Sequence, residues 1–154
     1  MAAARVPRAP ERGTILAFDF GTKRIGVAVG ERATGIAHPL TTIESEKTAE
    51  RFAAIAALID EWQPALLLVG LPTHADQAPH EMTNRAQRFA RRLEGRFGIA
   101  VALADERYSS QAATEKLSMA GVKARDQRGL RDRVAAQLFL QAYLDQHESP
   151  ERSS

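Results

Sequence analysis

An unbroken apolar run, Ile15-Leu16-Ala17-Phe18, leads to a single acid, Asp19. Gly21-Thr22-Lys23-Arg24 follows as a turn, and Ile25-Gly26-Val27-Ala28-Val29 reads as the returning strand of a hairpin. Gly35 to Ile43 is a third extended segment, in which Pro39 favours a sheet edge or a bulge because it has no backbone N–H to give to a ladder. Phe52, Ile55, Ile59 and Trp62 then recur at helical spacing, and Pro64 stops that helix. Ala65 to Val69 is apolar throughout, as a strand covered on both faces would be.

Gly70-Leu71-Pro72 closes that strand, and Thr73 to Pro79 is expected to form a loop at its carboxyl end, where loops of α/β proteins often carry function. Ala86, Phe89, Leu93 and Phe97 mark a second helix, Ile99 to Leu103 alternates as a strand, and Ser109 to Ala120 forms a third helix closed by Gly121. A last helix carries Val134, Ala135, Leu138, Phe139 and Ala142 on one face. A three-strand meander followed by alternating elements predicts an α/β fold, a mixed sheet with helices on both faces. Residues 1–13 and 148–154 lack periodicity and are expected to be flexible tails around a single domain at residues 14–147.

Composition removes several classes of chemistry. The 154 residues contain no cysteine, so neither a disulfide framework nor a thiolate zinc site exists. His38, His74, His80 and His147 show no ligand spacing such as His-Glu-x-x-His. No apolar stretch approaches the roughly 20 residues of a membrane span, so a soluble, cytoplasmic protein with no membrane partner is expected. The formal charge is only +2, and attraction to an acidic polymer must come from local clusters.

Three acids fall at element edges. Asp19 ends the first strand, Glu106 follows the strand at residues 99–103, and Asp132 lies in the first turn of the last helix. Carboxylates from separate elements can meet at one end of a sheet, where oxygen ligands suit a hard divalent cation held beside a phosphate. Each acid also has a plainer reading. Asp19 could accept turn hydrogen bonds, Glu106 could belong to a solvated cluster with Asp105 and Arg107, and Asp132 could favour a helix dipole.

Several stretches carry a resemblance, in order along nearly the whole folded region. They are Leu16 to Val29, with Asp19-Phe20-Gly21-Thr22-Lys23-Arg24-Ile25-Gly26 at its centre, then Glu61-Trp62-Gln63-Pro64 and Val69-Gly70-Leu71-Pro72. Ala90-Arg91-Arg92-Leu93, Asp105-Glu106-Arg107 and Asp132-Arg133-Val134-Ala135-Ala136 complete the set. With them the chain resembles the pre-16S rRNA nucleases, also called Holliday-junction-resolvase-like proteins, of the ribonuclease H-like superfamily. The resemblance implies a metal-dependent nuclease, with Asp19, Glu106 and Asp132 as catalytic ligands of a divalent Mg2+ or Mn2+ ion and precursor rRNA or ribosomal particles as partner. The chain departs from the pattern at Thr73-His74-Ala75-Asp76-Gln77, usually a Gly-containing loop, and at Arg133, usually a small residue.

Basic residues border the acids and would draw a phosphate backbone without reading its bases: Lys23, Arg24, Arg107, Lys123, Arg125 and Arg128. Arg85, Arg88, Arg92 and Arg96 share one side of the second helix, where a solvated face whose stems cover the core is the simpler expectation. Most aromatic residues sit at core spacing, and Tyr108 alone is placed to stack on a base. Three other functions stay open at this point. They are a four-way DNA junction resolvase, a non-catalytic RNA-binding assembly factor, and an ATP-binding domain, although no P-loop or Gly-x-Gly-x-x-Gly is present. Nothing along the chain selects between a monomer and a homodimer.

Overall fold

A computed structural model describes residues 13–71, 80–105, 109–123 and 127–146. Strands β1 (Thr14–Phe20), β2 (Ile25–Glu31) and β3 (Ile36–Ile43) come first, followed by helix α1 (Thr48–Trp62), strand β4 (Leu66–Leu71) and helix α2 (His80–Phe97). Strand β5 (Val101–Asp105) and helices α3 (Ser109–Met119) and α4 (Gln127–Gln146) complete the order. The strands form one sheet in the order β3-β2-β1-β4-β5. The meander pairs antiparallel, whereas β1-β4 and β4-β5 are parallel, as the element order implied.

Alternation along β1 divides the core in two. Leu16 and Phe18 face α1 and α2, where they pack with Val27, Phe52, Ile55, Val69, Phe89 and Leu93. Ile15 and Ala17 face the opposite side, with Ala28, Leu68, Phe139, Leu140 and Leu144, under α4. Helix α3 lies on α4 through Ala113, Leu117, Val134 and Ala135. Because β1 and β4 are covered on both faces, an unbroken apolar run is the only pattern that suits them.

Pro39 satisfies both of its expected roles. It lies on β3, an edge strand, and the β2-β3 register shifts between Val27, paired with Thr41, and Ala28, paired with Pro39, which leaves Leu40 as the extra residue of a bulge. Helix α1 ends at Trp62, with Gln63 in the left-handed region at φ 46° just before Pro64. The stop is where the sequence put it.

Three boundaries differ from expectation. Strand β5 runs over Val101–Asp105 rather than residues 99–103, because α2 ends in a left-handed Gly98 at φ +64° and two residues are spent reaching the sheet. Helix α4 starts at Gln127, which puts Asp132 in its second turn rather than its first. Its early start is fastened to β3 where Thr42 Oγ1 donates to the Gly129 carbonyl at 2.6 Å. Gly13, assigned to the flexible tail, is anchored: its N–H donates to Glu31 Oε2 at 3.3 Å and its carbonyl accepts from Arg32 N–H at 3.0 Å. Residues 1–12, 147–154 and the loop at 73–79 lie outside the described residues.

Candidate active site

Asp19 is the fifth consecutive buried residue of β1, at 9% exposure. It shares strand parity with Ile15 and Ala17, so its side chain leaves the sheet on the α4 side. Across the ladder its partner is Gly26, and opposite residues of an antiparallel pair project to the same face. A Cβ built on Gly26 would stand 2.1 Å from the Asp132 carbonyl oxygen and 2.7 Å from the Arg133 nitrogen. The missing side chain therefore lets the α4 backbone descend onto the sheet beside Asp19. A residue in β2 brings together two acids that are distant in sequence.

The Asp132 side chain is fixed from the hairpin turn. Arg24 Nε donates to Asp132 Oδ2 at 2.7 Å, with 23% and 18% of the two side chains exposed. A charge-assisted bond of that length at a half-buried site restricts the carboxylate to one orientation. The turn is braced in its own right by Arg51 of α1, which is buried and donates through Nη2 to the carbonyls of Gly21 at 2.8 Å and Thr22 at 2.9 Å. Arg51 Nε also donates to the Ser45 carbonyl. Burial lowers the Arg51 pKa and the charge of Glu46 opposes that, yet a guanidinium stays protonated, so the brace persists across the physiological range.

The remaining expected residues divide by position. Lys23 is exposed and lines a cleft of about 380 Å³ with Arg24, Lys47, Glu44, Glu46 and Glu50. Lys123 is exposed after α3. Arg128 lies in the first turn of α4. Glu106, Arg107, Tyr108 and Arg125 lie outside the described residues. Among the described residues no three His, Asp or Glu side chains gather closely enough to hold one ion. Asp19 and Asp132 supply hard oxygen donors, and this donor chemistry fits a Mg2+- or Mn2+-type ion rather than a soft one.

Arg133 donates through Nε to Thr42 Oγ1 at 3.1 Å and ties α4 to β3. Gln141 accepts from Ala37 N–H at 2.9 Å and donates to the Gly35 carbonyl at 2.7 Å, while Gln137 donates to the Ala37 carbonyl at 3.1 Å. These contacts, like the Arg51 brace and the Gly26 approach, are missed by reasoning from sequence. One signal was available, because Arg51 sits four residues before Ile55 on the apolar stripe of α1, where a charge needs a buried partner.

A five-stranded mixed sheet of this order, with α4 crossing the face that bears the acid of β1, is a ribonuclease H-like fold. Two structures of Thermus thermophilus RuvC match it, with TM-scores of 0.51 and 0.53 over 85% of this chain and 93% of theirs. The second is in complex with a Holliday junction substrate, and at 14% identity both matches are of fold. Residues 13–146 match the family described as "RuvX: Holliday junction resolvase", and the chain belongs to that family. Among its relatives, a Methylobacillus flagellatus protein is 54% identical over 139 residues, spanning 90% of this chain and 95% of the relative. A Nitrosomonas europaea protein is 57% identical over 133 residues, 86% of this chain and 90% of the relative. Both bear the name "Putative pre-16S rRNA nuclease".

Proposed function

We propose that this protein is a divalent-metal-dependent nuclease that hydrolyses phosphodiester bonds of structured RNA and processes the 16S rRNA precursor in the cytoplasm. The observation that carries the reading is the juxtaposition of Asp19 and the α4 backbone at Asp132, across a position where any Cβ would collide. Family membership and the relatives' names supply the substrate. In this reading Asp19, Glu106 and Asp132 hold the ion, Glu106 being assigned from the Asp105-Glu106-Arg107 segment of the sequence. A divalent ion bound there would supply an activated water and neutralise charge on the leaving oxygen. No helix among the described residues is long and apolar enough to cross a membrane, which fits a reaction on ribosomal particles.

The protein's own groups do the positioning. Arg24 holds Asp132 in one orientation, and Arg51 holds the turn that carries Arg24. The other bases, Lys23, Arg107, Lys123, Arg125 and Arg128, attract the phosphate backbone without reading sequence. Arg24 thus takes on a positioning task beside the phosphate contact expected of it, since its Nε is bonded to a carboxylate while its Nη groups remain for a phosphate.

Asp19→Asn tests the reading. The substitution keeps size and removes the charge, so Mg2+-dependent cleavage of precursor rRNA is expected to be abolished while circular dichroism is unchanged; retained cleavage would overturn the assignment. The family description favours a second reading, hydrolysis of a four-way DNA junction by the same groups. Parallel assays on precursor RNA and on a DNA junction separate the two by which substrate loses its cleavage in the Asp19→Asn protein.

A further inference from the structure

The face of the sheet opposite the two acids carries a second concavity. Between α1 and α2, at the carboxyl end of β1, lies a cleft of about 290 Å³ whose lining includes Phe20, Phe89, Arg51, Arg85, Arg88 and Arg92. No acid appears among the described residues that line it. The arginines that line this depression form a local positive field in a chain whose formal charge is only +2, with Arg88 and Arg92 as its exposed members.

The arginines of α2 are not alike. Arg96, at the far end of the row, lays its guanidinium over the Phe52 ring at 4.4 Å, the packed arrangement expected of a side chain that covers the core. Arg88 and Arg92 are exposed and make no ion pair with any described residue. Arg51, at the floor, is committed to the carbonyls of Gly21 and Thr22, and its buried charge adds to the field without being able to leave. Phe20 forms one wall, held between Phe89 at 4.9 Å and the Arg51 guanidinium at 5.5 Å.

Phe20 is the residue after Asp19 at the carboxyl end of β1, so alternation puts the carboxylate on one face of the sheet and the cleft on the other. The two sites lie back to back across that strand end. We propose that the cleft between α1 and α2 binds the phosphate backbone of the RNA strand flanking the bond held at Asp19, with Arg88 and Arg92 as its mobile contacts. The identity of the strand rests on the nuclease reading, whereas the anion chemistry of the cleft does not.

The test measures binding apart from cleavage. A fluorescein-labelled RNA stem-loop is titrated with the full chain in EDTA over a range of salt, using native protein, Arg88→Gln/Arg92→Gln, Arg88→Lys/Arg92→Lys and Arg91→Gln. Arg91 lines a separate cleft with Gln87 and Glu94 and serves as the charge control. Each lost phosphate contact lowers the slope of log affinity against log salt by about 1, so the Gln pair should lower it by about 2 and weaken binding about tenfold or more at low salt. The Lys pair should keep the native slope, because a point charge still displaces counterions. If the Gln pair lowers the melting temperature, the two single Gln variants carry the comparison.

An unchanged slope in the Gln pair overturns the proposal, as does an equal loss in Arg91→Gln. A DNA duplex that binds as tightly and loses affinity equally would overturn the assignment to RNA. The two readings fail separately. Cleavage that depends on Asp19 with binding indifferent to Arg88 and Arg92 sinks the cleft alone, whereas binding that needs them in a protein with no metal-dependent cleavage sinks the nuclease alone.

Discussion

The two faces of the sheet are packed by opposite strategies. Under α1 and α2 the space is filled with large rings: Phe18, Phe20 and Phe52 all contact Phe89, with centroids 4.9 to 6.1 Å apart. Under α4 the strands present Ala17, Gly26, Ala28, Gly30 and Gly70, and the helix comes down until side chains or backbone fill the missing positions. A Cβ on Gly70 would meet the Phe139 ring at 2.6 Å, and one on Gly30 would meet Leu140 at 3.0 Å. An interface of rings can shift a rotamer to absorb change, but an interface of backbone on backbone cannot. The acids lie on the unyielding face.

That contrast can be broken by removing bulk from one face and adding it to the other. Phe89→Ala deletes the ring shared by three others and is expected to cost about 3–5 kcal/mol by urea denaturation. Cleavage per folded molecule should survive in part, reduced through the cleft wall that Phe89 shares with Phe20 rather than through displacement of either acid. Gly26→Ala adds a single carbon, yet it meets the Asp132 carbonyl at 2.1 Å, and about 3 kcal/mol is expected together with near-complete loss of cleavage. If Gly26→Ala folds and cleaves normally, the close approach of α4 does not control the site.

Gln141→Ala sharpens the picture at the margin of α4. It leaves the Ala37 N–H and the Gly35 carbonyl without their side-chain partner, and a loss of about 1–3 kcal/mol is expected in the same denaturation measurement. Gly95→Ala is the smallest case and carries the opposite sign. Nothing lies within 4 Å of a Cβ built there, on the exposed side of α2, so a gain of about 0.5–1 kcal/mol is expected. A loss there would mean that glycines resist substitution for reasons other than the approach of a helix.

The fold was largely legible because its signals are local. Period-2 alternation at Ile99 to Leu103, unbroken apolar runs in β1 and β4, helical spacing at Phe52, Ile55 and Ile59, and the breakers Pro64 and Gly121 all act within one element. The errors at β5 and α4 were of two to five residues. A left-handed Gly98, a local stop that the sequence reading passed over, delayed β5, whereas a long-range hydrogen bond from Thr42 stabilised an early first turn of α4. Asp19, Asp132 and Arg24 were singled out from the sequence, but the bond from Arg24 to Asp132, the Arg51 brace and the Gly26 approach were not.

The sequence by itself determined which carboxylates and bases the protein owns, the order of its elements and the strand end at which Asp19 must lie, because these follow from chain periodicity and side-chain chemistry. Only the tertiary structure decided that Arg24 spends its Nε on Asp132, that Arg51 braces the turn between them, and that Gly26 is the gap through which α4 reaches the acid of β1. It also divided the arginine row of α2, leaving Arg96 packed on a ring and Arg88 and Arg92 open over a cleft. The physical reason is common to all of these. Each is a contact between residues brought together by packing rather than by spacing, and its partner is often a backbone atom, which has the same chemistry at every position and so leaves no mark on the sequence.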